Sequence, residues 1–415
     1  MLPQVAYVTD LEGQWPKLVA FATDNPLVSL VDGQLELASQ AVLVFGGDAL
    51  DRGPAGQRTL QTLLDAKLAY PDRVVLLAGN RDINKLRLLH ELAPEPALRV
   101  AHRRAPEVLV RGPRGPLLRW ILAETMNAGA AFDHRATELA DRGQACDDEA
   151  VADSMVADVQ GNGLLLRYLQ QCQLAYLHAD TLFVHGAVTP ENFGEVPGHL
   201  LPAASVVAWI ARLNGFLAAG VAAAAEDDPA GYAAIVRYQA PAPGMNHNPH
   251  SVVYGRPVDP HGNPLLPAAA LVAQLQAQGV HRLVVGHTPI GDCPAVLCTD
   301  GFDMIMADNS YSRLERGAQV LLDGSRATIK AWVALDDGEL AQVACTYDRS
   351  APNGVGCRNT TTGELVKARM ADGRMLLHRG LPDHVVSQTA SENLPAGLWS
   401  APYFAVADSG CKTLP

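Results

Sequence analysis

The chain has 415 residues, 48% of them hydrophobic and 18% charged, which suits a folded protein with a sizeable core and excludes general disorder, the tail aside. Its formal net charge of -12 gains nothing from counterion release on a nucleic-acid backbone, and no polybasic stretch would hold it on an anionic membrane. Seven cysteines, scattered from Cys146 to Cys411, do not make the dense, even framework of a disulfide-built domain. Reduced thiols and a start without a charged leader and apolar core lead us to expect a cytoplasmic protein.

In chain order, short apolar runs at 5–9, 41–45, 74–78, 182–185, 283–285 and 305–307 lack alternation, as strands buried on both faces do. Between them, Leu60, Leu63, Leu64 and Leu68 share a helical face, and 164–178 and 268–278 read as helices, with Gly279 as a C-cap. Strand–helix alternation predicts an α/β fold. Residues 94–160 are long and charged, then helical, and read as an insertion or cap. Residues 203–225 are apolar enough to raise the question of a membrane, but Arg212 and Asn214 in the middle favour a helix packed on soluble protein. Residues 226–267 read as a long ordered loop. After Ser325, turn signals at Asp337-Gly338 and Asp372-Gly373 predict a β-rich region, with an extended arm or tail from Gln388.

Several runs end directly in polar, glycine-flanked residues. These are Asp10-Leu11-Glu12-Gly13, Gly46-Gly47-Asp48-Ala49-Leu50-Asp51-Arg52-Gly53, Gly79-Asn80-Arg81-Asp82, His185-Gly186 and Gly286-His287-Thr288-Pro289. Open α/β sheets bind ligands at the carboxyl ends of their strands, so five loops converge in expectation. A lone Asp here is usually a turn residue and a lone His a core residue; the joint occurrence carries the argument. Carboxylates, an amide and imidazoles suit a pair of hard or borderline divalent ions, which about 3.5–4 Å apart can clamp an in-line displacement.

The order of these motifs resembles the calcineurin-like metallophosphoesterases, and Gly-Gly-Asp-x-x-Asp-Arg-Gly resembles their phosphoprotein phosphatase branch most. The likeness runs from residue 5 to about 325 and takes in Met306-Ala307-Asp308-Asn309-Ser310-Tyr311. It implies a catalytic domain over 1–325, a sandwich of two mixed β-sheets flanked by helices, followed by a β-rich extension over 326–415 packed on the core. It implies a phosphatase acting on a phosphorylated small molecule or protein through hydroxide held by two metal ions. Asp10 would bind the first ion, Asp48 would bridge, and Asn80, His185 and His287 would bind the second. Arg52 would face the phosphate, and Asp51 would orient its neighbours. Arg256 is a candidate second clamp, weighed equally against a surface arginine beside a turn.

Three departures matter. Glu12 stands where the family has His; if it ligates, the first position is all carboxylate and Mn²⁺ is the expected ion, with Mg²⁺, Fe or Zn²⁺ as alternatives. Arg81 stands where the family has its proton-donating His, and a guanidinium stays protonated. Leaving groups needing little protonation are then favoured, a phosphotyrosine phenolate above a phosphoserine alkoxide, unless Asp82 or His90 supplies the proton. Pro289 follows Gly-His-Thr as in dinucleoside polyphosphate hydrolases, which keeps that substrate as an alternative. A pseudophosphatase binding module is the other alternative, resting on Glu12 and Arg81. His247 and His250 read as part of a solvated loop, with reach to the site as the alternative, and the 102–104 basic spot as surface or a substrate-peptide contact; Lys85 and Arg87 are weighed equally between positive potential near the pocket and a solvated face.

Overall fold

The computed structural model describes residues 3–23, 25–351, 353–359, 361–381, 385–393 and 399–400. In chain order the strands are β1 (Val5–Val8), β2 (Val28–Val31), β3 (Gln34–Leu37), β4 (Val42–Phe45), β5 (Val74–Leu77), β6 (Cys172–Gln173), β7 (Ala175–His178), β8 (Thr181–Val184), β9 (Arg282–Val285), β10 (Ala295–Thr299), β11 (Phe302–Met306), β12 (Gln319–Asp323), β13 (Arg326–Ala334), β14 (Leu340–Asp348), β15 (Arg358–Asn359), β16 (Leu365–Arg369), β17 (Met375–Gly380), β18 (Val386–Ser391) and β19 (Trp399–Ser400).

They form a seven-stranded sheet ordered β14-β13-β12-β1-β4-β5-β6, and a five-stranded sheet ordered β10-β11-β9-β8-β7. Both are mixed. β1, β4 and β5 run parallel, as do β8, β9 and β11, while β12 joins β1 antiparallel. The sheets face each other. Tyr7, Val44 and Val75 from the first pack with Phe183, Val284 and Ile305 from the second, and the Tyr7 and Phe183 rings stack 5.7 Å apart. Helices cover the outer faces, so β1, β4, β5, β8 and β9 are buried throughout, which is why their sequences do not alternate. β13 and β14 do alternate, because one face meets solvent. This is the expected two-sheet sandwich flanked by helices.

The C-terminal region is β-rich, as expected. β13 and β14 extend the first sheet, and β15 to β19 form another five-stranded sheet whose Val366, Ala368 and Leu377 share the inter-sheet core. The arm expected from Gln388 begins within β18, which pairs with β17; residues 401–415 lie outside the described residues.

Residues 94–160 include helices Arg114–Met126, Ala131–Asp141 and Asp148–Ala157 around their own core of Leu117, Leu118, Ile121, Phe132 and Val151. Asp147 caps the last of them by accepting from the Glu149 and Ala150 amides.

Three local readings need correction. Only Leu164–Leu169 of the 164–178 segment is helical; β6 and β7 follow, drawn into the sheets by pairing with β5 and β8. Leu68 is 59% exposed, since the apolar face of Gly56–Ala69 outruns the core beneath it. The 226–267 loop contains a helix, Pro229–Tyr238, with Asp228 as its cap and proline in its first turn. Helix Val206–Ala225 is long and apolar enough to cross a membrane. Its Asn214 instead accepts from the Leu174 amide at 2.9 Å and donates to the Ala175 carbonyl at 3.0 Å.

Candidate metal centre

The loops after β1, β4, β5, β8 and β9 meet at one end of the sandwich. Asp10, Glu12, Asp48, Asp51 and His287 have φ of 52°, 48°, 58°, 132° and 60°, half of the ten non-glycine residues with positive φ among the described residues. Such backbone costs an L-residue on the order of 1–3 kcal/mol, so its clustering here marks side chains aimed against local preference. Glycines let the loops close in. A Cβ on Gly79 would lie 2.1 Å from Asp48 Oδ1, and one on Gly286 2.4 Å from Asp10 Oδ2.

Backbone hydrogen bonds tie the first two loops together: the Glu12 amide donates to the Asp48 carbonyl at 2.9 Å and the Gly53 amide to the Glu12 carbonyl at 2.6 Å. Asp82 joins the second loop to the third. Its carboxylate accepts from the amides of Asp48 (3.0 Å), Ala49 (2.9 Å) and Gly79 (2.9 Å). It lies fully buried and off the cavity wall.

Two groups of donor atoms result. Asp10, Glu12 and Asp48 present oxygens within 4.8 Å of one another, and so do the donor atoms of Asp48, His185 and His287. Asp48 belongs to both groups. Asn80 Oδ1 lies 3.3 Å from His185 Nε2. These residues form a candidate dinuclear centre, and three observations fit them to divalent cations. His185 Nδ1 lies 2.7 Å from the Gly46 carbonyl, which accepts its proton and leaves Nε2 to face Asp48 and Asn80. His287 is buried, and its Nε2 has no hydrogen-bond partner among the described residues. The acids also crowd one another. Burial, then the charge of Asp308, pushes Asp10 well above the usual carboxylate range. Burial lifts Glu12 to about 7 even though Arg81 opposes it. A cation relieves such strain.

Elsewhere in the centre, burial opposes ionisation of Asp48, yet His185 and Arg81 hold it below the ordinary range. For His185, burial is outweighed by Asp48, and the ring is raised to about 10. His287 stays neutral, pushed well down by burial and by Arg256.

A cavity of about 460 Å³ opens over these groups, with Asp10, Glu12, Asp48, Asn80, Arg81, Arg256 and His287 on its wall. His185 and Asp51 lie behind it. Arg52, partly exposed, stacks its guanidinium 3.9 Å from the Tyr311 ring centre and reaches Glu12 at 3.6 Å. Tyr254 packs its ring 4.6 Å from that of His287. The 94–160 region supplies wall residues from Ala123 to Asn127, and Asn127 donates to Tyr311 Oη at 3.1 Å.

Some expected residues are placed differently. His90 turns away to Tyr232 Oη, 2.8 Å from its Nδ1. Lys85 is not solvated: it is buried with Nζ 2.6 Å from Asp51 Oδ1. Arg87 lines the cavity but pairs with Glu91 at 2.9 Å. His247 lines a neighbouring cavity of about 470 Å³, which shares Arg256 and Pro289 with the first.

Asp308 was missed as a site residue. It is buried, lines the cavity, and adds negative charge beside Asp10 and Glu12. Its signal was the one used for the other loops: an acid directly after a buried apolar run, here β11. Lys17 was missed too. It is buried and reaches the carbonyl of Asn309 at 2.9 Å, fixing the loop that carries Asp308.

No family model and no curated protein matches the chain. Among solved structures, a cold-active protein-tyrosine phosphatase of a psychrophilic Shewanella species is 17% identical, with a TM-score of 0.46 over 82% of this chain and 80% of that one. Another structure of a cold-active protein tyrosine phosphatase gives 17% and 0.47 over 85% and 81%. A protein serine/threonine phosphatase from Saccharomyces cerevisiae, with similarity to human phosphatase PP5, gives 12% and 0.40 over 78% and 73%. At these identities and scores the likeness says nothing of what this chain acts on. By the order of its motifs and its two-sheet architecture together, the chain resembles the calcineurin-like metallophosphoesterases.

Proposed function

We propose that this chain is a metal-dependent phosphatase acting on phosphomonoesters with a good leaving group, phosphotyrosine on protein being the expected class. The observation that carries the reading is the convergence of Asp10, Glu12, Asp48, Asn80, His185 and His287 from five loops, with His287 Nε2 buried and without a partner among the described residues. Divalent ions, when bound, would supply Lewis-acid activation of water and of the phosphoryl oxygens. We take Mn²⁺ as the ion, on the carboxylate-rich first position.

The remaining work falls to the chain. Arg256 on the cavity wall and Arg52, stacked on the wall residue Tyr311, would serve as phosphate clamps, since a guanidinium can hold two phosphate oxygens. Local arginines attract the anion against the chain's overall negative charge. Arg81 cannot give up a proton but can stabilise charge developing in the transition state. Asp51 and Asp82 act as positioning residues, Asp51 through Lys85 and Arg81, Asp82 through the loop amides. Tyr254 and Tyr311 offer aromatic faces to an aryl leaving group. We place the protein in the cytoplasm, supported by six free cysteines among the described residues.

The rival substrate, a dinucleoside polyphosphate, draws on the second cavity that adjoins the first at Arg256 and Pro289. A binding module without activity is disfavoured by the presence of the bridging and second-ion ligands Asp48, Asn80, His185 and His287.

The test is hydrolysis of an aryl phosphate by metal-stripped protein with Mn²⁺ restored, beside phosphotyrosine peptide, phosphoserine peptide and diadenosine tetraphosphate. Preference for the aryl esters supports the reading. Equal rates on phosphoserine remove the leaving-group argument, and turnover of the anhydride alone transfers the site to the rival.

A further inference from the structure

The two halves of the centre are not equivalent. Around the His185 and His287 donors, no cationic side chain bonds to either ring among the described residues, and His287 Nε2 has no partner. The proton that His185 holds can leave on ligation, whereas the other side carries a cation that cannot give up its charge. Arg81 Nε lies 2.6 Å from Glu12 Oε1 and 3.6 Å from Asp48 Oδ2. Its Nη1 lies 3.4 Å from Asp51 Oδ2 and donates to the Met126 carbonyl at 3.1 Å. Its own amide donates to Asp48 Oδ1 at 2.8 Å. Lys85 holds Asp51 from behind, so the guanidinium is fastened at both ends.

Resting on the metal-centre reading above, we infer that Arg81 is a built-in competitor for the first metal position. The side formed by Asp48, Asn80, His185 and His287 then loads first and tightly. The side formed by Asp10, Glu12 and Asp48 loads second and weakly, because Glu12 must be drawn off a buried guanidinium before it can ligate.

The physical reason is electrostatic. A positive charge within a few ångströms of a binding position repels an incoming cation in a site of low effective dielectric. Breaking a buried ion pair also leaves a charge that must find a new partner. A substrate phosphate is such a partner for Arg81. The enzyme would then carry one resident ion, with the second position filling fully when phosphate enters.

The test titrates the metal-stripped full chain with Mn²⁺ by calorimetry and counts retained ions after gel filtration, for wild type, Arg81→Gln and Arg81→Lys. Wild type should retain one ion and bind the second at least about tenfold more weakly. Arg81→Gln should tighten the weaker position by about tenfold or more, and Arg81→Lys, which keeps the charge, should not. Inorganic phosphate added to wild type should tighten the weaker position. Two ions of equal affinity in wild type overturn the inference whatever the variants do, as does an unchanged gap in folded Arg81→Gln; either leaves the phosphatase reading standing. No ion bound by folded wild type overturns both.

Discussion

Lys85 Nζ lies 2.6 Å from Asp51 Oδ1, with both side chains sealed from solvent behind the cavity wall. The pair has no contact with substrate space, yet Asp51 also meets Arg81 at 3.4 Å, so it sets where the site's most buried guanidinium can sit. Removing Lys85 leaves the buried Asp51 with only its longer contact to Arg81, at a cost of up to about 3–5 kcal/mol. Lys85→Met should therefore lower unfolding stability in urea by about that amount, while Asp51→Asn with Lys85→Met recovers a large part of it. A Lys85→Met protein as stable as wild type would show that the pair does not brace the site.

Asp48 and Asp82 separate ligation from positioning. Asp48→Asn removes the charge shared by both halves of the centre and should lower metal-dependent turnover by about three orders of magnitude or more. Asp82→Asn keeps the shape but weakens acceptance from three loop amides. It should loosen metal affinity by about 10–100-fold, as loss of an outer support does. Turnover at saturating Mn²⁺ should suffer much less in Asp82→Asn than in Asp48→Asn, and steady-state kinetics across a Mn²⁺ series distinguish the two. Equal losses that excess metal cannot restore would place Asp82 in the chemistry instead.

Arg52 tests phosphate recognition. Stacked on Tyr311, its guanidinium presents a planar fork that an ammonium cannot copy. Arg52→Lys should lower kcat/KM on an aryl phosphate by about tenfold or more, with Mn²⁺ affinity unchanged. Tyr311→Leu should raise KM for aryl esters more than for a small alkyl phosphate. If both variants behave as wild type on every ester, the phosphate enters from another side of the cavity.

The thiols report the fold independently of activity. Burial pushes Cys293 and Cys298 up to about 11, while Cys146 is exposed between helices Ala131–Asp141 and Asp148–Ala157. The folded-state value lies above the unfolded 9.0, so the protonated thiol is the form that folding favours. That contribution is complete below pH 9 and is lost as pH rises through about 11. Alkylation at pH 8 followed by mass spectrometry should find Cys146 modified early and Cys293 and Cys298 only after denaturation. Early labelling of Cys293 would mean that the inter-sheet core opens readily.

What the sequence by itself determined was the set of strand ends and the ligands on them. Runs such as Val42–Phe45 and Arg282–Val285 are buried on both faces, so their apolar continuity is local and readable. The acids, amide and imidazoles that follow them are local too, and the same rule would have found Asp308. It did not determine where side chains with several options would point. For Lys85 the choice between pocket charge and solvated face stays open in the sequence, because a short helical turn with one lysine carries no sign of a buried acid 34 residues away. Asp82 reads in the sequence as a candidate proton donor, whereas in the fold the Asp48, Ala49 and Gly79 amides converge on its carboxylate. Segment 164–178 has the composition of a helix, but partner strands and Asn214 make most of its second half extended. In each case the deciding partner is distant in the chain, and burial, which makes an unpaired charge or amide costly, imposes the pairing only once the loops have met.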